Sequence, residues 1–535
     1  METIYETIVG LEIHVQILTH SKAFSKDGNS FANQANANAG VITLAHPGTL
    51  PKINIDHLHK AVLLGMAFGS NISKKHFFDR KHYFYPDLPK GYQITQDKMP
   101  YCTDGTIRFI SEGIEKSIRI HHIHMEEDAG KSIHDQHAST LVDFNRAGVP
   151  LLEIVTEPDF RSGQEVSDFL AELRKTVQYL GISDGNMEEG SFRCDCNVSV
   201  RKKGVQTLGE RNEIKNVNSR RFAKNAIDYE AKRQIAIVEN GGIIQKTTLL
   251  YDPVLNETRS MRKKESENDY RYFPEPDLPP VLIDEIFLKE IAQKLVALPI
   301  DRYYKLVNDY KLSSADAIFL TEEKAWTELY FLLASHSDQY KLIAELLVQK
   351  ILPYLNLIKK EISIFKDPLL LLRFVELLQN GKIAKSAAYQ HVFPVWIEDI
   401  SQNPEDIAQN LELFQSDNQD FLDAIIAQVI IANQDKVTAY KKGKTGLLGF
   451  FMGQVMQISG GKGVFFCFCK ILVVKLRLMP FGVGKTLIIP PIGKPKNNCT
   501  KNMVIKTLKI ANFIIQILIV NTKSFLSLPN QRHIT

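Results

Sequence analysis

The chain has 535 residues, 44% hydrophobic and 24% charged, with a formal net charge of +4. That is the make-up of an ordinary soluble globular chain of about two to four domains and excludes a globally basic polypeptide. Six cysteines form no Cys-x-x-Cys pair, so no disulfide framework follows from them, and this usage fits a reducing, cytoplasmic compartment.

The N-terminus runs into a strand with no basic and apolar leader before it, so no secretory signal is expected. In that strand Leu11, Ile13, Val15 and Ile17 alternate with Glu12, His14 and Gln16. The period is that of a half-buried β-strand. Taken alone, its polar face reads as a solvated strand face before it reads as a metal site, since wet strand faces are common. Residues 78–93 then mix rings, cations and turn formers, among them Arg80, Lys81, Tyr83, Tyr85 and Lys90. Such a stretch can stack a nucleobase and hold phosphates, or it can be a packed loop. His122 to Asp128 carries the acid pair Glu126-Glu127, with Lys131 just beyond. Phe169, Leu173, Val177 and Leu180 mark one face of a helix. Acids gather again at Glu188-Glu189, at Asp195 beside Arg193, and at Glu213 beside Lys215, and Phe192–Val200 is a second alternating strand.

A Pro-rich stretch, Phe273 to Pro280, then closes the mixed region. From there to about residue 460 apolar residues fall at helical spacing and β-alternation disappears. The fold class expected is α+β, with a mixed first domain at 1–283, a helical domain at 284–403 and a small helical tail at 404–463. Residues 464–535 hold eleven Lys or Arg and no Asp or Glu, a composition foreign to what precedes it. Within it the mostly apolar stretch Ile510 to Val520 is too short for a membrane span.

Two apparent phosphate loops fail. Gly130-Lys131-Ser132 would need glycine where Met125 stands, and Gly484-Lys485-Thr486 where Met479 stands. Acids gathered in four places beside strand-like segments suit divalent ions instead, because carboxylates in one cleft repel unless cations lie between them. Oxygen ligands with one imidazole favour Mg²⁺, with Mn²⁺ as an alternative. With Lys131, Arg193 and Lys215 nearby, phosphoryl transfer is the chemistry such a site supports, although each of these cations can equally be a neutralising salt bridge.

At these residues the sequence resembles the GatB family, the B subunit of the aspartyl/glutamyl-tRNA amidotransferase. The matching runs include VGLEIHVQI, FDRKHYFYPDLPKGYQITQ, HMEEDAGKS, LVDFNRAGVPLLEIVTEPD, MEEGSFRCDCNVSVR, EIKNVNS and DYRYFPEPDLPP, and agreement extends over about residues 3 to 462. The resemblance implies a cradle domain with a kinase site, a helical domain and a tail that helps to bind tRNA. It implies ATP and Mg²⁺ as cofactors. It also implies a heterotrimer, in which the partners are an amidase and a small third chain that clasps the other two, and misacylated Glu-tRNA or Asp-tRNA as substrate. Carried over to this chain, Glu12, His14, Glu127 and Glu213 are the expected metal ligands, with Glu126 and Glu189 next. A regular strand turns Glu126 and Glu127 to opposite sides, so one of them reaches the metal. Lys131, Arg193 and Lys215 are expected at phosphoryl oxygens, Arg80, Lys81, Tyr83, Tyr85 and Lys90 at ATP or substrate, and Lys441, Lys442 and Lys444 at tRNA. A tRNA-binding scaffold with an inactive site and an unrelated two-metal nuclease are the competing readings.

The sequence departs from the family twice. Many members carry a Cys-x-x-Cys zinc knuckle where this chain reads Asn38-Ala39-Gly40-Val41-Ile42, so no structural zinc is expected. After Gly463 the family's final charged helix is replaced by the acid-free segment. Residues 464–535 are therefore expected to be out-of-frame or read-through sequence. Sequencing the 3′ end of the gene tests this, and an unchanged reading frame overturns it. The archaeal paralogue's inserted domain has no room between Pro280 and the helix near Ile286.

Overall fold

The computed structural model describes residues 4–458, apart from 33, 134–138, 216, 264–269 and 415–418. The foreign segment 464–535 lies outside the described residues.

The first part of the chain is built on one large mixed sheet. Its central strands are β1 (Tyr5–Gln16), β2 (Ile114–Glu127), β3 (Pro150–Thr156), β4 (Phe192–Lys202) and β5 (Asn212–Lys215), continued by β6 (Thr247–Asp252) and β7 (Glu257–Lys263). Across the sheet they run β7-β6-β5-β4-β1-β3-β2. The β5–β6 pair is parallel and the other pairs are antiparallel. This matches the α+β class read from the sequence, with helices gathered on one side of a largely antiparallel sheet.

The alternation seen in β1 decides which side is which. Val9, Leu11, Ile13 and Val15 are buried and pack with apolar residues of three helices. These are α1 (Ile55–Ala67), α2 (Gly163–Tyr179) and α3 (Arg220–Glu239). Phe169, Leu173 and Val177 of α2 and Ala223, Ala226 and Ile227 of α3 are within this core. Each large aliphatic side chain so buried stabilises the fold by about 1.5–3 kcal/mol relative to exposure. Local sequence sets the helix starts: Ser162 Oγ accepts from the Glu165 amide and Ser219 Oγ from the Phe222 amide. Because the helices cover the apolar face, the face bearing Glu12 and His14 is left for a cleft.

The helical region has a core of its own, with Phe374 and Trp396 fully buried. Ile291 packs into the sheet's core, whereas Ile407 and Ala408 pack with Trp396. The helix Pro404–Asn410, which the sequence reading places in the tail, therefore shares the helical core. Apolar spacing alone does not say which core a short helix joins. A second compact unit begins after residue 416. Its helices Gln419–Ala432, Gln434–Lys441 and Leu447–Ile458 bury Ile426, Val429, Phe451 and Val455 together. No helix among the described residues is long and apolar enough to cross a membrane.

Candidate active site

Strand register brings the polar side chains together. His14 of β1 stands opposite Glu153 of β3 on one side and Arg193 of β4 on the other, and Glu153 in turn faces His124 of β2. Two residue pairs further along, on the same face, Glu12 faces Asp195. Asn197 faces Glu213 of β5. Side chains opposite one another on antiparallel strands lie about 5 Å apart at Cβ, so these rows converge by construction.

Two groups of donors result. In the first, His14, Glu126 and Glu153 each present a ligand atom within 4.8 Å of the others. In the second, Glu12, Asp195 and Glu213 do the same. His14 Nε2 lies 3.2 Å from Glu153 and 3.5 Å from Glu126, and His124 Nε2 lies 3.4 Å from Glu153. Burial opposes the charge on His14, but Glu153 and then Glu126 outweigh it and its pKa is raised. At His124 the same contest, decided by the same two carboxylates, pushes the imidazole up to about 10. Burial would raise Glu153, and His124 and His14 instead hold it well below the usual carboxylate range.

The second group is more acidic. Lys215 Nζ lies 2.6 Å from Asp195 and 3.1 Å from Glu213, one ammonium against three carboxylates. Thr248 donates to Glu213 at 3.1 Å and Asn197 to Glu12 at 3.0 Å. A set of hard oxygens with a single imidazole, in local excess of negative charge, has the donor chemistry of a divalent-cation site of the Mg²⁺ or Mn²⁺ kind. Both groups fit such an ion.

The two groups line one cleft of about 570 Å³ with Lys81, Tyr83, Gln93, Asp128, Arg193, Lys215 and Tyr270. Arg193 donates to Asp128 at 2.9 Å and Gln16 donates to the same oxygen at 2.7 Å. Burial would raise Asp128, yet Arg193 and Arg146 outweigh it and hold the carboxyl below its ordinary range. Burial, followed by the nearby carboxylates, pushes the Tyr83 phenol upward, so it stays a proton donor. Cations and acids in one cleft are what a polyphosphate with bound metal would meet.

Residues 7–289 match the family model described as the GatB/GatE catalytic domain, and residues 330–463 match the GatB domain. The B subunit of the aspartyl/glutamyl-tRNA(Asn/Gln) amidotransferase of Bdellovibrio bacteriovorus is 41% identical over 478 residues, spanning 88% of this chain and 99% of that protein. The proteins of the same name from Chlorobaculum tepidum and Wolbachia pipientis are 43% and 42% identical over 461 residues each, covering 86% of this chain and 96% of theirs. The chain belongs to the GatB family. Both donor groups lie within the stretch matched by its catalytic domain.

In this GatB-family chain the residues picked from sequence divide by strand parity. Glu12, His14, Glu126, Glu213, Arg193, Lys215, Lys81 and Tyr83 line the cleft. Glu127 does not: it faces the other side of β2, pairs with Lys90, and accepts from the Ile94 amide at 3.0 Å. Lys90 is thereby held away from the two donor groups. Arg80, one residue from Lys81 on the short strand Asp79–His82, faces away as well. It forms a two-pronged pair with Glu275 at 2.7 and 2.8 Å and a bond to Asp277 at 2.8 Å, tying the Pro-rich stretch to the domain. Glu189 is exposed in a turn, Lys131 is exposed on the short strand Lys131–Ile133, and Tyr85 is 53% exposed, so none of the three joins either group. Lys441, Lys442 and Lys444 lie at the end of the helix Gln434–Lys441 and just after it, with Lys442 and Lys444 exposed.

Sequence reasoning misses Glu153 as a ligand because it seeks acids in groups. A lone carboxylate inside the apolar strand Pro150–Thr156 is the available signal. Asp195 and Asp128 stand out in the sequence only as neighbours of other acids. His124 has the right period, two residues before Glu126, to share its face.

Proposed function

We propose that this chain is the B subunit of a tRNA-dependent amidotransferase that activates the side-chain carboxylate of Glu-tRNA(Gln), Asp-tRNA(Asn) or both at the expense of ATP. The observation that carries this reading is the convergence of His14, Glu126 and Glu153 with Glu12, Asp195 and Glu213 in one cleft beside Arg193 and Lys215. A carboxylate is a poor acyl electrophile, because its charge is delocalised and its leaving group would be oxide. Transfer of the γ-phosphoryl group forms a carboxylate O–P bond, breaks the bond to ADP, and installs phosphate as the leaving group. Ammonia then adds to the acyl carbon, phosphate departs, and the amide remains on the tRNA.

The residues divide this work by chemistry. The two donor groups would hold Mg²⁺, with Mn²⁺ as an alternative, and such ions would supply charge neutralisation to the polyphosphate. Lys215 and Arg193 would contact phosphoryl oxygens and offset the charge that develops on transfer. Lys81, whose ammonium stands 4.9 Å from the Tyr270 ring, guards the rim, and Tyr83 can donate its phenolic proton to an anionic group. The sheet and its helices form the kinase-bearing cradle. Ammonia comes from a partner amidase, held with a small third chain in a heterotrimer that works in the cytoplasm. The tail helices, with Lys441, Lys442 and Lys444, contact tRNA.

Glu12→Ala in the reconstituted heterotrimer tests the reading. ATP-dependent phosphorylation of the charged tRNA should fall to background while glutamine hydrolysis by the partner continues. Normal amidation by the variant overturns it, and tRNA cleavage under Mg²⁺ without ATP would make the chain a nuclease.

A further inference from the structure

Asn197 on β4 has a role that the cleft's charged residues do not explain. It is 8% exposed and stands opposite Gly10 of β1 and Glu213 of β5. From this position the amide of Asn197 reaches diagonally toward Glu12, which stands two residues from Gly10 on the same face of β1. There its Nδ2 donates to Glu12 Oε1 at 3.0 Å. Its Oδ1 is buried and has no hydrogen-bond partner among the described residues. The amide also lines a second, smaller cavity of about 130 Å³ that shares Glu12 with the main cleft and is bounded by Ser199, Thr156, Pro158 and Arg211.

The orphaned oxygen is informative. A buried acceptor left without a donor is costly, and folds normally avoid it. Turning the amide over would set Oδ1 against the Glu12 carboxylate, acceptor against acceptor, which is worse. The amide orientation with the N–H on Glu12 is therefore the one that the carboxylate dictates. The choice of a neutral donor also has a consequence. Lys215 already pairs with Asp195 and Glu213. A second ammonium at position 197 would compete with a cation for Glu12, and a carboxylate there would repel it. An amide orients the carboxylate through a hydrogen bond and brings no charge of its own into the group.

We infer that Asn197 is a positioning residue: its amide fixes the rotamer of Glu12 so that Glu12, Asp195 and Glu213 converge on one divalent cation. The inference rests on the reading of this group as a cation site. Partners of this kind, outside the ligands themselves, typically change metal affinity about 10- to 100-fold when removed.

Mn²⁺ titrated into the full-length chain, with free ion followed by electron paramagnetic resonance, tests the inference directly. Asn197→Ala should weaken one class of site about 10- to 100-fold and leave the class that depends on His14 unchanged. Ser199→Ala, two residues along the same face, should leave both unchanged. In the reconstituted enzyme the Mg²⁺ concentration for half-activation should rise for Asn197→Ala, while the rate at saturating Mg²⁺ recovers. If the alanine variant does not fold, Asn197→Leu keeps the volume and removes the donor. Unchanged Mn²⁺ affinity in either folded variant, with affinity lost in Glu12→Ala, overturns the positioning role alone. Mn²⁺ binding that is indifferent to Glu12→Ala overturns the cation site and the inference together.

Discussion

Glu126 and Glu127 are neighbours in the chain and belong to opposite sides of one strand. Glu126 lies 3.5 Å from His14 Nε2 in the cleft, whereas Glu127 accepts from the Ile94 amide at 3.0 Å and pairs with Lys90 behind it. Near Glu127, burial pushes Lys22 down to about 8, against the pull of Asp27 and Glu127. The two carboxylates should therefore fail differently. Glu126→Gln should remove one class of Mn²⁺ site with little change in melting temperature. Glu127→Gln should keep both classes and cost about 3 kcal/mol of stability, the usual result of stripping one partner from a buried ion pair. Binding titrations and thermal melts on the two variants check this, and exchanged phenotypes would refute the assignment of faces.

Glu153 holds two imidazoles at once. Glu153→Gln removes the counter-charge that keeps His124 near 10 and His14 raised. With the carboxylate gone, burial should dominate and both histidines should titrate at lower pH. Side-chain ¹⁵N spectra of the histidines across about pH 5–11, in the absence of metal, report the change. Unmoved titrations would show that Glu126 alone sets them.

His57 gives acid sensitivity away from the cleft. It is fully buried, and because Nε2 lies 3.2 Å from the carbonyl oxygen of Leu151, which can only accept, Nε2 carries the proton. Burial pushes its pKa down to about 4 from 6.5, so below pH 6.5 the unfolded chain binds a proton that the folded chain refuses. Stability from this group is complete above pH 6.5 and is lost as pH falls toward 4, by about 3 kcal/mol in all. His57→Gln should flatten denaturation midpoints across that window. An equally steep fall in the variant would assign the sensitivity to other groups, of which His76, also pushed down to about 4 by burial, is the first to test.

Lys441, Lys442 and Lys444 supply three cations in the tail helices. Replacing all three with alanine should weaken tRNA binding and make the logarithm of affinity against salt shallower by about two units. Filter binding from about 50 to 200 mM salt measures the slope. An unchanged slope would remove these lysines from the tRNA contact.

Amino-acid order alone supplied the pieces. Alternation in Gly10–Ile17 and Phe192–Val200 marked strands with one wet face, because side-chain direction in a strand depends only on parity. Acid content marked where cations belong, and the long matching runs marked the family. Which acids meet was decided by strand pairing. Glu153 joins His14 because β3 lies antiparallel to β1 in one register, and Asp195 joins Glu12 because β4 lies on the other side in another. Pairing partners more than a hundred residues apart leave no local trace, since the hydrogen bonds that fix them are made by backbone groups common to every residue. Parity likewise removed Glu127 and Arg80 from the cleft, once the fold fixed which side of each strand faced it.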